Sequence, residues 1–240
     1  MIDFFMPAFR EGFGGVTIIR NDIPDANPKP RPKLYAIHPH ALLANGLGIA
    51  MNDCISRNER VTVLASSILY WLNPLLHLFV NAMGCGFSTV MKYDIERLMR
   101  DRESIALVPG GFEEVMLMEP GSDVLFIKHR QGFLRLCNKF DYDVVPVFTF
   151  GESLLYRNRI SLTRSLKILS ARIKMPLALP VGDSCWTFMP SPLPRGMLIV
   201  FGKRIASNGD VDGLHKKYLE NLKDMHDRYN LYPSIRLTIH

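Results

Sequence analysis

The chain has 240 residues, of which 48% are hydrophobic and 22% are charged, with a formal net charge of +6 and a pI of about 9.2. This length and this apolar content exclude a disordered or fibrous chain and indicate one folded domain. The positive charge favours an anionic partner, either a lipid headgroup surface or a phosphorylated substrate, because no zinc-finger spacing or RNA-binding aromatic signature points to a nucleic acid.

Residues 1–32 are predicted to form a membrane-proximal segment and a proline-rich linker. Phe5, Phe9 and Phe13 recur at helical spacing, so one face of this segment would be aromatic and would either enter a lipid interface or pack on the domain. Alternating prolines in residues 27–33 exclude a helix and predict a stiff, extended linker. The globular domain is predicted to occupy residues 33–240.

From residue 34 onward, short β-rich runs alternate with helical stretches. The predicted strands are residues 34–37, 61–65, 88–91, 105–108, 144–150 and 197–201. The predicted helices are residues 42–55, 68–83, 94–102, 131–140 and 211–229. This order predicts an α/β fold in a single domain, with a mostly parallel sheet and helices on both of its faces.

Residues 61–91 contain no Asp, Glu, Lys or Arg and are long enough to span a bilayer. However, Asn73-Pro74 and Gly84 interrupt the apolar run, and its β-branched beginning is typical of a strand. We therefore favour a strand, a helix and a strand in a buried core over a full membrane span. In this interpretation residues 68–72 make a shallow contact with one leaflet of a membrane.

Two histidines, His38 and His40, follow the first predicted strand and precede a predicted helix. Reactive groups in α/β folds gather at this place, at the carboxyl end of a strand beside a helix N-terminus. The partial positive charge of that N-terminus favours a neutral imidazole, which is the form that a general base requires. The pair is equally compatible with two metal ligands or with a structural pair packed by Pro39.

A second motif, PGGFEE at residues 109–114, follows another predicted strand. Gly110 and Gly111 permit tight turns that expose backbone N–H groups, and such groups can bind a developing oxyanion. A carboxylate just beyond the turn can orient a histidine from the neighbouring strand end. Because Gly-Gly turns are common, the motif by itself is also explained as an ordinary turn.

Taken together, these motifs resemble the diacylglycerol acyltransferase type 2 family, with its monoacylglycerol and wax-alcohol acyltransferase relatives. His38-Pro39-His40 is similar to the family's HPHG signature. Residues 109–114 are similar to its PGGxxE signature, which places the family glutamate on Glu114. Further blocks in the family's order are RQGF at 130–133, VPVFTFGE at 145–152, SPLPR at 191–195 and GKRI at 202–205.

The resemblance implies a membrane-associated enzyme on the cytosolic face of the endoplasmic reticulum. Its acyl donor would be acyl-CoA, and its acceptor would be a lipid alcohol, with diacylglycerol favoured. The resemblance implies no metal or other cofactor. By analogy with the wider glycerolipid acyltransferase superfamily, His40 is the general base, and the deprotonated hydroxyl attacks the thioester directly. By the same analogy, Glu114 orients His40 and His38 shapes the loop. Gly110 and Gly111 form the oxyanion site.

Substrate binding is assigned by the same resemblance to Pro109, Arg130, Gly132 and Phe133. Arg130 is expected to meet the phosphates of coenzyme A, although an ordinary helix-surface arginine would give the same pattern. The chemistry fits these residues, because a thioester is already activated and needs only a base, an oxyanion site and exclusion of water.

The sequence departs from the family pattern at three positions: Ala41 replaces the glycine after the second histidine, His77 stands where arginine is often found, and Arg204 stands where proline is usual. Because no long hydrophobic hairpin precedes the core, we expect a minimal version, a fragment or a peripheral enzyme. Two other functions remain open. One is a catalytically inactive membrane or lipid-binding relative, and the other is a hydrolase that binds a metal through the two histidines and the glutamate.

Overall fold

The computed structural model describes residues 11–22, 31–40, 43–117, 121–156 and 192–240, together with the backbone of residues 158–159 and 180–181. Its strands are β1 (Val16–Arg20), β2 (Lys33–His38), β3 (Val61–Ala65), β4 (Gly86–Thr89), β5 (Ser104–Leu107), β6 (Ser122–Leu125), β7 (Asp143–Phe150), β8 (Asn158–Arg159), β9 (Pro180–Val181), β10 (Met197–Phe201) and β11 (Arg236–Ile239). Its helices are α1 (Asn45–Ser56), α2 (Ser67–Leu72), α3 (Pro74–Ala82), α4 (Lys92–Arg100), α5 (Gly111–Leu117), α6 (Gly132–Phe140) and α7 (Val211–Tyr229), with a short 3-10 turn at Glu152–Leu154.

Seven strands form the main sheet, in the order β1-β10-β7-β2-β5-β3-β4. Strand β10 runs antiparallel to β7, and the other neighbouring pairs are parallel. Parallel neighbours require crossover connections, and helices supply most of them. The prediction of an α/β fold with a mostly parallel sheet is confirmed.

Alternate side chains of the strands enter two separate cores on opposite faces of the sheet. In β2, Tyr35 and Ile37 lie in the core with residues of α1 and α3, whereas Leu34 and Ala36 lie in the core with residues of α4, α6 and α7. All eight residues of β7 are buried. A central strand covered on both faces reads as a continuous apolar run, which is why the sequence of β7 does not alternate.

The predicted strands at 61–65 and 197–201 and the predicted helix at 211–229 match β3, β10 and α7. The predicted helix at 68–83 is instead divided into α2 and α3. Pro74 lacks the N–H that would continue α2, and it begins α3, while the Asn73 side chain accepts a hydrogen bond from the Leu76 N–H at 3.0 Å. The short elements β1, β6, β8, β9, β11 and α5 were not predicted.

The main sheet begins earlier than residue 33, where the sequence predicted the domain to start. Strand β1 pairs with β10 along its whole length, from Val16 to Arg20. Phe13 is fully buried in the core, so this member of the predicted aromatic stripe packs on the domain. Phe5 and Phe9 lie outside the described residues, as do residues 23–30 of the predicted linker. A five-residue edge strand beside a proline-rich stretch gives only a weak sequence signal.

The uncharged stretch at residues 61–91 folds as β3, α2, α3 and β4, which agrees with the predicted order of strand, helix and strand. The prediction that the helical part is buried is wrong, because α2 contains no buried residue and Val80 is the buried residue of α3. None of the helices in the described ranges combines the length and the apolar composition that a bilayer span requires. Helices α2 and α3 nevertheless leave large apolar side chains uncovered, and Trp71, Leu72 and Leu75 are each 75% exposed.

Arg20 ties the edge strand β1 to α1 at the amino end of the parallel strands. Its guanidinium lies 2.7 Å from a carboxylate oxygen of Asp22, 3.0 Å from one of Asp53 and 3.2 Å from one of Glu59. Lys33 Nζ lies 3.0 Å from the second oxygen of Glu59. Charges that are largely removed from solvent are tolerated because they are paired, so removing one partner leaves the others without compensation.

Replacement of Arg20 by Ala is expected to lower the free energy of unfolding by about 3 kcal/mol, because Asp22 and Asp53 lose their shared cation. Urea denaturation followed by circular dichroism measures this loss. Arg57→Ala is the control: Arg57 also lies 3.0 Å from Asp53, but its side chain is 56% exposed. The control should cost less than about 1 kcal/mol, and equal losses in both variants would contradict the prediction.

Candidate active site

The two predicted motifs leave the sheet at the same edge. Strands β2 and β5 are parallel neighbours, with Leu34 opposite Ile105 and Ala36 opposite Leu107. Their carboxyl ends are therefore adjacent, and the segments that follow them must meet. His38 is the last residue of β2, and the PGG turn after β5 leads directly into α5.

Glu114 in α5 is the residue that joins these two segments. One of its oxygens, Oε2, accepts a hydrogen bond from the His40 backbone N–H at 2.9 Å. The other, Oε1, accepts one from the Phe126 N–H at 3.0 Å and lies 3.3 Å from His38 Nδ1. The side chain is 1% exposed. This one buried carboxylate thus fixes the loops that follow β2 and β6 relative to α5.

The sequence predicted that Glu114 orients the imidazole of His40. In the structure Glu114 holds His40 through its main-chain amide, and the imidazole that lies beside the carboxylate is that of His38. These contacts fix the position of the loop that carries His40. His40 itself is partly exposed, whereas His38 is fully buried.

His38 is enclosed between Glu114 and Tyr218, a residue of the C-terminal helix α7. His38 Nε2 and the Tyr218 hydroxyl lie 2.5 Å apart. Burial raises the pKa of Tyr218 well above its usual range, so the hydroxyl keeps its proton and can donate it to Nε2. The carboxylate, the imidazole and the phenol therefore form a buried polar chain that crosses from α5 to α7.

Sequence reasoning missed Tyr218 as a site residue, because it recognised Tyr218 only as part of the predicted helix at 211–229. The available signal was its chemistry: a buried tyrosine hydroxyl needs a hydrogen-bond partner. Phe133, predicted to bind substrate, is 9% exposed and packs edge-to-face on Tyr218 with 5.4 Å between ring centroids. Gly132 begins α6, and a Cβ added there would meet open space.

The two glycines of the PGG turn are needed for different reasons. Gly111 has φ of +58°, in the left-handed region that favours glycine. A Cβ added at Gly110 would lie only 1.8 Å from Glu114 Oε1, so any side chain there would displace the carboxylate. Gly110 thus gives Glu114 its space, and the oxyanion role of both glycines stays a prediction.

Arg130 lies in the connection between β6 and α6, beside the PGG turn. Its Nη2 is 2.6 Å from Glu113 Oε2, and its Nη1 donates to the carbonyl of the buried Pro109 at 3.5 Å. The guanidinium also lies over the Phe126 ring, 5.2 Å from the centroid. A phosphate bound here would compete with Glu113 for the guanidinium. The structure places Arg130 near the site without testing its predicted role.

Two of the three departures from the family pattern have structural explanations. Arg204 lies 3.6 Å from an oxygen of the buried Asp143 and compensates its charge at the amino end of β7. His77 packs its ring on Tyr70, with 4.5 Å between centroids, and bonds the Tyr70 carbonyl. Ala41 lies outside the described residues.

The described cysteines are free and buried. Burial raises the pKa of Cys54 to about 12 and that of Cys85 to about 11, so both remain thiols at neutral pH. Within the part of the chain that the structure describes, no group of three or more His, Cys, Asp or Glu side chains is arranged to hold a metal ion.

Replacement of Tyr218 by Phe is expected to lower the free energy of unfolding by about 1–3 kcal/mol, because His38 Nε2 loses its partner inside the protein. Urea denaturation measures the change. Tyr229→Phe, in the same helix, is the matched control. The Tyr229 hydroxyl accepts only a 3.4 Å hydrogen bond from the partly buried Asn21, so its removal should cost less than about 0.5 kcal/mol. If Tyr218→Phe left the free energy of unfolding unchanged, the contact with His38 would contribute nothing to stability.

Comparison with known proteins gives one family. A family model described as diacylglycerol acyltransferase matches residues 25–239. Diacylglycerol O-acyltransferase 2 of Dictyostelium discoideum is 28% identical over 243 residues, which cover 92% of this chain and 72% of that protein. Diacylglycerol O-acyltransferase 2B of Umbelopsis ramanniana is 25% identical over 250 residues, with 92% and 70% covered.

A third relative, acyl-CoA wax alcohol acyltransferase 2 of Mus musculus, is 29% identical over 139 residues. This match covers 54% of the chain and 41% of that protein. The alignments with these relatives therefore include between 41% and 72% of their lengths.

Proposed function

The chain belongs to the diacylglycerol acyltransferase family, whose model matches residues 25–239, and we propose that it transfers an acyl group from acyl-CoA to the hydroxyl of a lipid alcohol. Diacylglycerol is the favoured acceptor, since two relatives that align with 92% of the chain carry its name. Family membership confirms the resemblance drawn from the sequence motifs, and with it the expectation of an acyltransferase. The acceptor and the general-base mechanism belong to the proposal.

His40 is the general base in this proposal. The observation that carries it is the hydrogen bond from the His40 backbone N–H to Glu114, 2.9 Å long, which fixes the histidine at the carboxyl edge of the sheet. A base must reach the hydroxyl whose proton it takes. His40 is partly exposed, whereas His38 is fully buried and engaged by Tyr218. We therefore assign the chemistry to His40 and its support to His38.

The reaction proceeds by direct attack on the thioester. As the acceptor oxygen bonds to the carbonyl carbon, its proton passes to the His40 imidazole. The carbon–sulfur bond then breaks, and the proton passes to the thiolate, which leaves an ester and free coenzyme A. Backbone N–H groups at Gly110 and Gly111 stabilise the oxyanion, and Arg130 holds a phosphate of coenzyme A after exchanging its contact with Glu113.

Replacement of His40 by Ala is expected to lower transfer from labelled acyl-CoA to diacylglycerol by about 100-fold or more, because general-base catalysis typically contributes at least that factor. His240→Ala is the control, since His240 is exposed at the end of β11, and it should retain full activity. Thermal unfolding of both variants checks that the fold is intact. Full activity of the His40 variant would refute its assignment as the base.

The acceptor is a lipid, and we propose that the protein takes it from a membrane held against the exposed apolar surface of α2 and α3. Trp71, Leu72 and Leu75 are its most exposed members. Helix α2 follows the carboxyl end of β3, and Leu43 and Met91, which are 51% and 57% exposed, follow the ends of β2 and β4. Exposed apolar side chains thus lie at the sheet edge that carries the histidines.

The net charge of the chain also supports membrane attachment, because a charge of +6 favours binding to an anionic leaflet. An apolar surface of this kind, with no charged residue between positions 61 and 91, fits a shallow insertion into one leaflet. The cytosolic face of the endoplasmic reticulum is the proposed location, in accord with the family resemblance.

Replacement of Leu75 by Glu is expected to weaken binding to vesicles of phosphatidylcholine and phosphatidylserine by about tenfold or more, because burying a leucine contributes about 1.5–3 kcal/mol. Cosedimentation measures the binding. Ala206→Glu is the matched control: it adds the same charge at an exposed position next to Ile205, which bridges to Val144 at the opposite edge of the sheet. Equal losses in both variants would indicate a charge effect and contradict the proposed surface.

A further inference from the structure

Glu152, two residues beyond the end of β7, is a fully buried carboxylate that binds the start of α1. Its Oε1 accepts hydrogen bonds from the Asn45 backbone N–H at 2.7 Å and from Asn45 Nδ2 at 3.2 Å, and its Oε2 accepts one from the Gly46 N–H at 2.7 Å. Helix α1 has no side-chain cap of its own, because the residue at its N-cap is Ala44. Glu152 therefore supplies, from a distant part of the chain, the cap that the local sequence lacks.

The end of β7 also holds the start of the same loop. The Thr149 hydroxyl donates a hydrogen bond to the His38 carbonyl at 2.8 Å. A Cβ added at Gly46 would lie 2.2 Å from Thr149 Cγ2 and 3.0 Å from Glu152 Oε2. At Gly46 the first turn of α1 thus lies so close to β7 that a side chain at this position would overlap Thr149.

The loop that carries His40, between β2 and α1, is consequently fixed at three points. Thr149 holds the carbonyl of His38 where the loop begins. Glu114 holds the amide of His40. Glu152 holds the first two amides of α1 where the loop ends. Without the contacts of Glu152, the loop would be held by Thr149 and Glu114 alone.

We propose that Glu152 is a positioning residue for the transfer reaction. By capping α1 it fixes the end of the loop that carries His40, and so it determines where the imidazole meets the acceptor hydroxyl. Glu152 acts through His40 and does not touch the reactants. This inference rests on the proposed acyl transfer with His40 as base, but the capping that it requires can be measured without any turnover.

The surroundings of Glu152 make its charge state responsive to pH. It is close to a second buried carboxylate, Asp123, whose Oδ1 accepts a hydrogen bond from the Ser153 hydroxyl at 2.8 Å. Burial raises the pKa of Glu152 to about 7, against an ordinary value of 4.5, and raises that of Asp123 to about 7 as well. Tyr156, the other titratable neighbour, has a raised pKa because it is buried, and stays neutral.

A folded-state pKa above the ordinary value means that the folded chain binds more protons than the unfolded chain between pH 4.5 and about 7. The contribution of Glu152 to stability therefore falls as the pH rises through this window. Glu152→Gln removes that contribution. As the pH rises from 4.5 to about 7, the free energy of unfolding of the wild-type chain should therefore fall relative to that of the variant.

Asp143→Asn is the matched control for Glu152→Gln. Asp143 is also a buried carboxylate, but it lies at the amino end of β7, where it pairs with Arg31 and Arg204. Both substitutions exchange a carboxylate for an amide, and only one of them is at the loop. Glu152→Asp is a second variant: it keeps the charge but is too short to bond both amides, so it should give an intermediate effect.

Hydrogen exchange measured by mass spectrometry tests the capping directly. Glu152→Gln is expected to accelerate exchange at the first amides of α1 by at least about tenfold, which corresponds to a loss of 1.4 kcal/mol in local stability. Asp143→Asn should leave these amides unchanged. Unaltered exchange in the Glu152→Gln protein would overturn the proposal.

Kinetics test the link to His40. Glu152→Gln is expected to lower kcat about tenfold while the KM for acyl-CoA stays within about twofold, because only the geometry of the reacting groups changes. Asp143→Asn should keep the wild-type kcat. A loss of kcat that is equal in the two variants would overturn the positioning role. If the wild-type chain transferred no acyl group, the proposed function would fail, whereas hydrogen exchange would still show whether Glu152 holds the loop.

Discussion

A buried carboxylate has to be satisfied by partners within the protein, and the partners of Glu114 determine the geometry of this site. The His40 amide, the Phe126 amide and the His38 imidazole all converge on it. Such a group is costly to bury alone but rigid once it is fully bonded. Gly110 is required beside it because a side chain there would occupy the same space. The two sequence motifs are thus parts of one contact.

The carboxyl ends and the amino ends of the parallel strands carry different kinds of residues. At the carboxyl edge lie the two histidines, the PGG turn and the exposed apolar side chains of α2 and α3. At the amino edge lie the ion pairs of Arg20 and the pairing of Arg204 with Asp143. Parallel strands impose this arrangement, since all of their carboxyl ends point the same way. Charge networks therefore stabilise one edge, while the other remains available for a substrate and, as we propose, a membrane.

The two histidines of one short motif have different environments. His38 is the last residue of a buried strand, and its ring is enclosed by Glu114 and Tyr218. His40 lies two residues further on, outside the sheet and partly exposed. Family membership makes the chain an acyltransferase. We assign the general base to His40 because its side chain is accessible to a substrate, whereas that of His38 is buried. A buried polar chain behind an accessible group is a common way to keep a reactive side chain in place.

The sequence by itself determined the α/β class, the bounds of β3, β10 and α7, the family, and the two motifs that meet, because hydrophobic period and motif order are local properties. It did not determine which atoms of His40 contact Glu114, nor the partners of Tyr218 and Glu152. Those depend on contacts between residues that are 74 positions apart for His40 and Glu114, 180 apart for His38 and Tyr218, and 107 apart for Asn45 and Glu152. Only the tertiary structure brings such groups together, and burial then decides which of them must be bonded.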